Sequence, residues 1–126
     1  METQLKNKLA VLQEDTEMKL DLAAHAYDKG FYQQCIHHSY AALMCTAKMM
    51  LWSKGIQSND GHIISDFDNV FSINDDYCRF DSFQSLVFQF QRHSADVHSA
   101  EAYLENAVDF IQNVDLITGS YPSIYK

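Results

Sequence analysis

One short stretch of the chain gathers side chains that can do acid–base and phosphate chemistry: Gln91-Arg92-His93-Ser94-Ala95-Asp96-Val97-His98. It joins one of only two arginines, Arg92 (the other is Arg79), to two of the six histidines. An arginine can grip a phosphate through two parallel N–H bonds and stabilise charge that develops on it. A histidine can take or give a proton near neutral pH. Together they form a minimal kit for cleaving RNA without a metal, with the ribose 2′-hydroxyl as nucleophile. The spacing sets a condition. On an unbroken helix, six residues turn through about 600°, which leaves Arg92 and His98 about 120° apart. They converge only if the helix breaks between them or if two subunits contribute. The plainer alternative is a surface Arg92–Asp96 pair at i, i+4 with idle histidines, and both readings stand at this point.

The other candidates are weaker. His37 and His38 are neighbours, so on a helix they point about 100° apart and cannot chelate one ion together. No H-E-x-x-H, E-x-x-H or zinc-finger spacing occurs, so no structural or catalytic metal and no cofactor is expected. His25 and His38 fall at core-like positions, where hydrogen-bonded buried imidazoles are expected. There is no G-x-S-x-G, P-loop or G-x-G-x-x-G. Asp75-Asp76 reads as a solvated turn.

The elements that must hold the motif are helical. Leu5, Leu9, Leu12, Thr16, Leu20, Ala23 and Tyr27 step by three or four, predicting a helix from about Thr3 to Lys29 that bends or divides near Glu14–Thr16. Gly30 supplies a left-handed C-cap. Phe31 to Lys54 carries two adjacent apolar stripes, one through Tyr32, Ile36, Tyr40, Leu43, Ala47 and Met50. The second runs through Phe31, Cys35, His38, Ala42, Cys45, Met49 and Trp52. A helix so apolar is either central in a bundle or shared with a second subunit. Gly55 ends it, and Gln57–Gly61 is a connection.

A short helix follows, with Ile64, Phe67, Val70 and Phe71 facing inward. Asn74-Asp75-Asp76 breaks it. Phe80, Phe83, Val87 and Phe90 mark a third major helix ending near Arg92. Ala100, Leu104, Ala107, Ile111 and Val114 mark a fourth over about Ser99 to Ile117. The expected fold is all-α: an up-and-down four-helix bundle with a short extra helix, one domain over residues 1–126, and a loose tail from about 118.

Composition narrows the function. At 126 residues, with four glycines and one proline, the chain fits one domain and argues against turn-rich sandwiches or barrels. Seventeen acids against nine bases give a net charge of −8, which excludes general, non-specific DNA or RNA binding but leaves a local site or a basic protein partner open. Three cysteines without a C-x-x-C pair read as reduced thiols, with Cys35 and Cys45 buried in helical pattern. No apolar run approaches the ~20 residues of a membrane span, and the polar start lacks a signal-peptide core. A cytoplasmic protein is expected.

Three segments resemble the HEPN domains, small all-helical prokaryotic proteins. Tyr32-x-x-Cys35-x-x-x-Ser39-Tyr40-Ala41-Ala42-Leu43, running on through Ala47-Lys48-Met49-Met50-Leu51 to Gly55, is similar to the family's second-helix pattern. His62, with Ile63 and Phe67 beyond it, is similar to the His that opens its next helix. Arg92-x-x-Ala95-Asp96, followed by Glu101-Ala102, Ala107 and Phe110-Ile111, is similar to its Arg-x-x-Ala-Asp-Tyr and final helix. The likeness covers about Leu20 to Val114.

The resemblance implies a metal-independent endoribonuclease toxin that leaves 2′,3′-cyclic phosphate. Its partner would be a minimal nucleotidyltransferase acting as antitoxin, and its active cleft would form between the two protomers of a homodimer. It assigns His98 as general acid or base, Arg92 as phosphate and transition-state clamp, and His93 as a supporting polar group. Toxin-like members carry four to six residues between Arg and His, and five stand here. It also allows a non-catalytic module that binds a nucleotide or serves a nucleotidyltransferase. The Tyr after Ala-Asp is Val97 here. The Tyr that antitoxins modify with AMP is replaced by Ala100, with Tyr103 nearby but out of register. The apolar second helix points to Phe31, Met49 or Trp52 as dimer contacts.

Overall fold

A computed structural model describes residues 2–59, 61–71, 82–91 and 95–114. These form five α-helices and no strand: α1 Glu2–Asp28, α2 Tyr32–Ser53, α3 Ile63–Val70, α4 Phe83–Gln91 and α5 Val97–Gln112. The fold is an all-α bundle, as the sequence predicts. The tail from about 118, Phe80 and Asn74–Asp76 lie outside the described residues.

α1 is one undivided helix through Glu14–Thr16, where a bend or a division was expected. Thr16 does not interrupt it because its hydroxyl donates to the Leu12 carbonyl at 2.8 Å within the helix. That internal bond also lets the side chain face the core, only 3% exposed. Gly30 closes the helix in the left-handed conformation at φ +79°, with its N–H on the Tyr27 carbonyl and the Phe31 N–H on the Ala26 carbonyl. Gly55 repeats this closure after α2 at φ +81°, through Gly55 N–H to Trp52 and Ile56 N–H to Leu51. Both are Schellman ends, where a residue with a Cβ would be strained.

α2 is the central element and packs against α1, α3, α4 and α5. Much of its two stripes is therefore covered within one chain, from Cys35 and Ile36 through Ala42, Leu43 and Cys45 to Met49 and Met50, while Tyr32, His38, Tyr40 and Trp52 are half-buried and Phe31 is exposed. Buried Ser39 and Thr46 return their hydroxyls to the carbonyls four residues back, so neither leaves an unmet donor in the core.

α3, α4 and α5 meet in an aromatic cluster. Phe67 lies 4.6 Å from Phe83, 4.8 Å from Phe71 and 6.0 Å from Phe110, and Phe83 lies 5.6 Å from Phe110, measured between ring centroids. Rings at such spacings add about 0.5–1.5 kcal/mol per pair beyond the area they bury. This cluster turns two helices from their expected faces. In α3 the buried row is Ile63, Phe67 and Phe71, while Ile64 is half-buried and Val70 is 40% exposed. In α5, Tyr103 and Phe110 are buried beside Ala100, Ala107 and Val114, and Leu104 and Ile111 are only partly covered. The larger rings take the inner positions because they fill more of the space between helices.

Candidate functional site

The start of α4 is built by a residue of α3. The Asp68 carboxylate accepts the Phe83 N–H at 2.7 Å and the Gln84 N–H at 3.0 Å. The Ser82 hydroxyl accepts the Ser85 N–H, and the Ser82 carbonyl accepts the Leu86 N–H. Three of the N–H groups that a helix start leaves open, those of Phe83, Gln84 and Ser85, are thus met by side chains. Phe83, Leu86 and Val87 anchor the inner face of α4, which ends at Gln91, one residue before Arg92.

Asp96 begins the next helix. Its backbone is extended at φ −116°, ψ 173°, and its side chain accepts the Ser99 N–H at 2.8 Å as the N-cap of α5. That bond, more than any other influence, holds its carboxyl below the ordinary carboxylate range. The cap starts α5 at Val97, two residues earlier than the stripe of Ala100 and Leu104 suggested. His98 is therefore the second residue of α5, exposed on its first turn. The helical path is broken at Asp96, so Arg92 and His98 do not lie on one continuous helix. Arg92 and His93 themselves lie outside the described residues, as does Arg79.

Around His98 the surface is acidic, with exposed Glu101 and Glu105 further along α5. Glu101 accepts the Tyr27 hydroxyl at 3.5 Å, tying α5 to α1. Ala100 is fully buried and Tyr103 is 8% exposed. Burial, with the Asp96 carboxylate as a smaller influence, raises the Tyr103 phenol above its usual range.

The remaining histidines are dispersed. His25 and His37 are exposed and His38 is half-buried, which corrects the expectation of buried imidazoles at 25 and 38. The reason at position 25 is rotational: α1 turns Ala23 and Ala26 to the core, and His25 falls between them on the outer side. His62 stands immediately before α3, where its carbonyl accepts the Asp66 N–H. Among the described residues no group of three or more His, Cys, Asp or Glu is placed to hold a metal ion. Cys35 and Cys45 are free and buried, and Cys78 lies outside the described residues.

Two clefts of about 440 Å³ open elsewhere. One lies between α3 and α4, among Ser65, Asp68, Asn69, Gln84 and Phe88. The other follows the α1–α2 seam and is lined by Tyr40, Met44, Cys45 and Lys48 from α2 and by Leu12, Asp15 and Lys19 from α1. Lys48 and Lys8 also stand over the Trp52 ring, 5.2 and 5.6 Å from its centroid. Sequence reasoning missed this cationic and aromatic grouping because its residues are drawn from two helices. His98 lines neither cleft. Compared with known proteins, the chain matches no family model, no curated protein and no solved structure.

Proposed function

We propose that this chain is a HEPN-like protein whose Arg92 and His98 cleave RNA without a metal. It would act in the cytoplasm as the toxin of a pair with a minimal nucleotidyltransferase. The observation that carries this reading is the break between α4 and α5. Asp96 is extended, and His98 stands exposed on the first turn of α5. A break at Asp96 is one of the two arrangements in which the spacing lets Arg92 and His98 converge.

In the reaction, the ribose 2′-oxygen attacks the neighbouring phosphorus as its proton passes to a base. The P–O5′ bond breaks, and the leaving oxygen takes up a proton. The products are a 2′,3′-cyclic phosphate and a 5′-hydroxyl. His98 of one protomer moves one of these protons and His98 of its partner the other, while Arg92 stabilises the charge on phosphorus. His93 lends a polar contact. A homodimer supplies the paired motifs.

The test is cleavage of a labelled RNA by the purified full chain in excess chelator. Arg92→Ala and His98→Ala should each abolish cleavage, with losses of about 100-fold or more. Lys126→Ala should be silent. On expression, growth arrest should be relieved by Arg92→Ala. Metal-dependent cleavage, or full activity in both variants, would remove the motif from the site.

A second reading draws on the α1–α2 cleft, whose volume suits a small ligand and which sets Tyr40 near Lys19 and Lys48. In it, the chain is a non-catalytic subunit that binds a nucleotide. Calorimetric titration with ATP against wild type and Lys48→Ala separates the two readings.

A further inference from the structure

The outer face of α1 carries an organised pattern that the bundle does not use. Among the described residues seven large hydrophobic side chains are exposed, and three of them share this one face: Val11 at 63%, Met18 at 53% and Leu22 at 42%. Their steps of seven and four place them within about 40° of one another around the helix, over a length of about 16 Å. Isolated exposed apolar residues are ordinary on a protein surface, but a row at such steps is the apolar half of a helix–helix contact.

A second row runs beside it. Glu14, Glu17, Asp21 and Asp28 are all exposed and step by three, four and seven, centred about 90° from the apolar row. No lysine interleaves this acidic edge. Lys19 lies on the far side of the apolar row and is held by Asp15 at 2.6 Å. Asp28 is the last residue of α1, where the helix dipole favours cations. Helix stability would select the opposite charge there.

We propose that this face docks a cationic amphipathic helix of another protein, with apolar residues on Val11, Met18 and Leu22 and lysines or arginines along the acidic edge. Charge complementarity selects this occupant over the others. A second copy of α1 fits poorly, because the row beside Val11 and Met18 on the acidic side carries Glu14 and Asp21. About a two-fold axis those carboxylates would be pressed together. A membrane surface fits poorly too, since anionic headgroups would face four carboxylates. The proposal is independent of the Arg92–His98 reading.

The test uses the full chain and a fluorescein-labelled helical peptide of leucine and lysine, with leucines in heptad spacing. Its counterpart has glutamate in place of lysine. Fluorescence anisotropy should show the lysine peptide bound, more weakly as salt rises, and the glutamate peptide unbound. The pair Met18→Ser and Leu22→Ser, and the pair Glu17→Lys and Asp21→Lys, should each weaken binding about tenfold or more. These positions are exposed, so circular dichroism should be unchanged. Glu105→Lys with Asp109→Lys makes the same charge change on α5 and should leave affinity within about twofold.

Equal losses in that control, unchanged affinity in the α1 variants, or binding of the glutamate peptide would overturn the proposal. Self-association abolished by Met18→Ser would assign the face to a second copy and overturn it. Capture by phosphatidylglycerol vesicles, lost in the same variant, would assign it to a membrane with the same consequence.

Discussion

Asp96 places His98 by capping α5 through the Ser99 N–H. Asp96→Ala should lower the melting temperature by a few degrees, and Asp96→Asn, which still caps, by less. The pH dependence has a definite sign. The folded carboxyl titrates below its ordinary value of 3.8, so its stabilisation is present above that value and is lost as pH falls through the lower folded one. Wild type and Asp96→Ala should differ at neutral pH and converge in strong acid. The thiols behave in the opposite sense. Burial raises both Cys35 and Cys45 above 9.0, so their contribution is intact below that value and falls as pH rises through the folded ones. Native protein should leave these two thiols slow toward a disulfide reagent, and denaturant should release them. Rapid native reaction of all three cysteines would contradict this.

At the scale of the element, α4 is the piece most dependent on others. It has nine residues, too few for stability in isolation. It is held by Phe83, Leu86 and Val87 inside and by Asp68 at its start. Asp68→Ala strips partners from two backbone N–H groups and should cost about 1–2 kcal/mol in a denaturant titration. Because α4 directly precedes Arg92 in the chain, the proposed RNA cleavage should fall in the same variant, more than in Asp68→Asn. Sequence periodicity located α4 but not this support. Asp68 lies fifteen residues from Phe83, and no local rule pairs a carboxylate with a helix start at that distance. Periodicity also misjudged the inner row of α3, since a helix of eight residues offers too few turns for its own pattern to choose between Ile63 and Ile64.

For the whole molecule, the position of α2 changes the case for a dimer. Much of its apolar surface packs on α1, α3, α4 and α5, and Met49, expected as a subunit contact, is only 3% exposed. Trp52 is half-buried beneath Lys8 and Lys48, and Phe31 remains 56% exposed. The proposed dimer rests instead on the need for two motifs in one cleft. Specific activity should therefore rise with protein concentration across the range where sedimentation shows monomers pairing. A monomer at all concentrations with full activity would separate nuclease from dimer. Among the described residues no helix is long and apolar enough to cross a membrane.

The amino-acid sequence alone determined the helical class, because apolar steps of three and four recur along the chain and only two left-handed glycines punctuate its first half. It also determined that Arg92 and His98 would converge only through a break in the helix or across two subunits, a consequence of helical pitch. Tertiary structure decided the remainder. Which of two adjacent rows faces inward depended on the ring cluster of Phe67, Phe83 and Phe110, whose members come from three helices. Where α4 starts depended on a carboxylate from α3. Each of these is a contact between residues distant in sequence or a choice made by packing, and local periodicity carries no record of either.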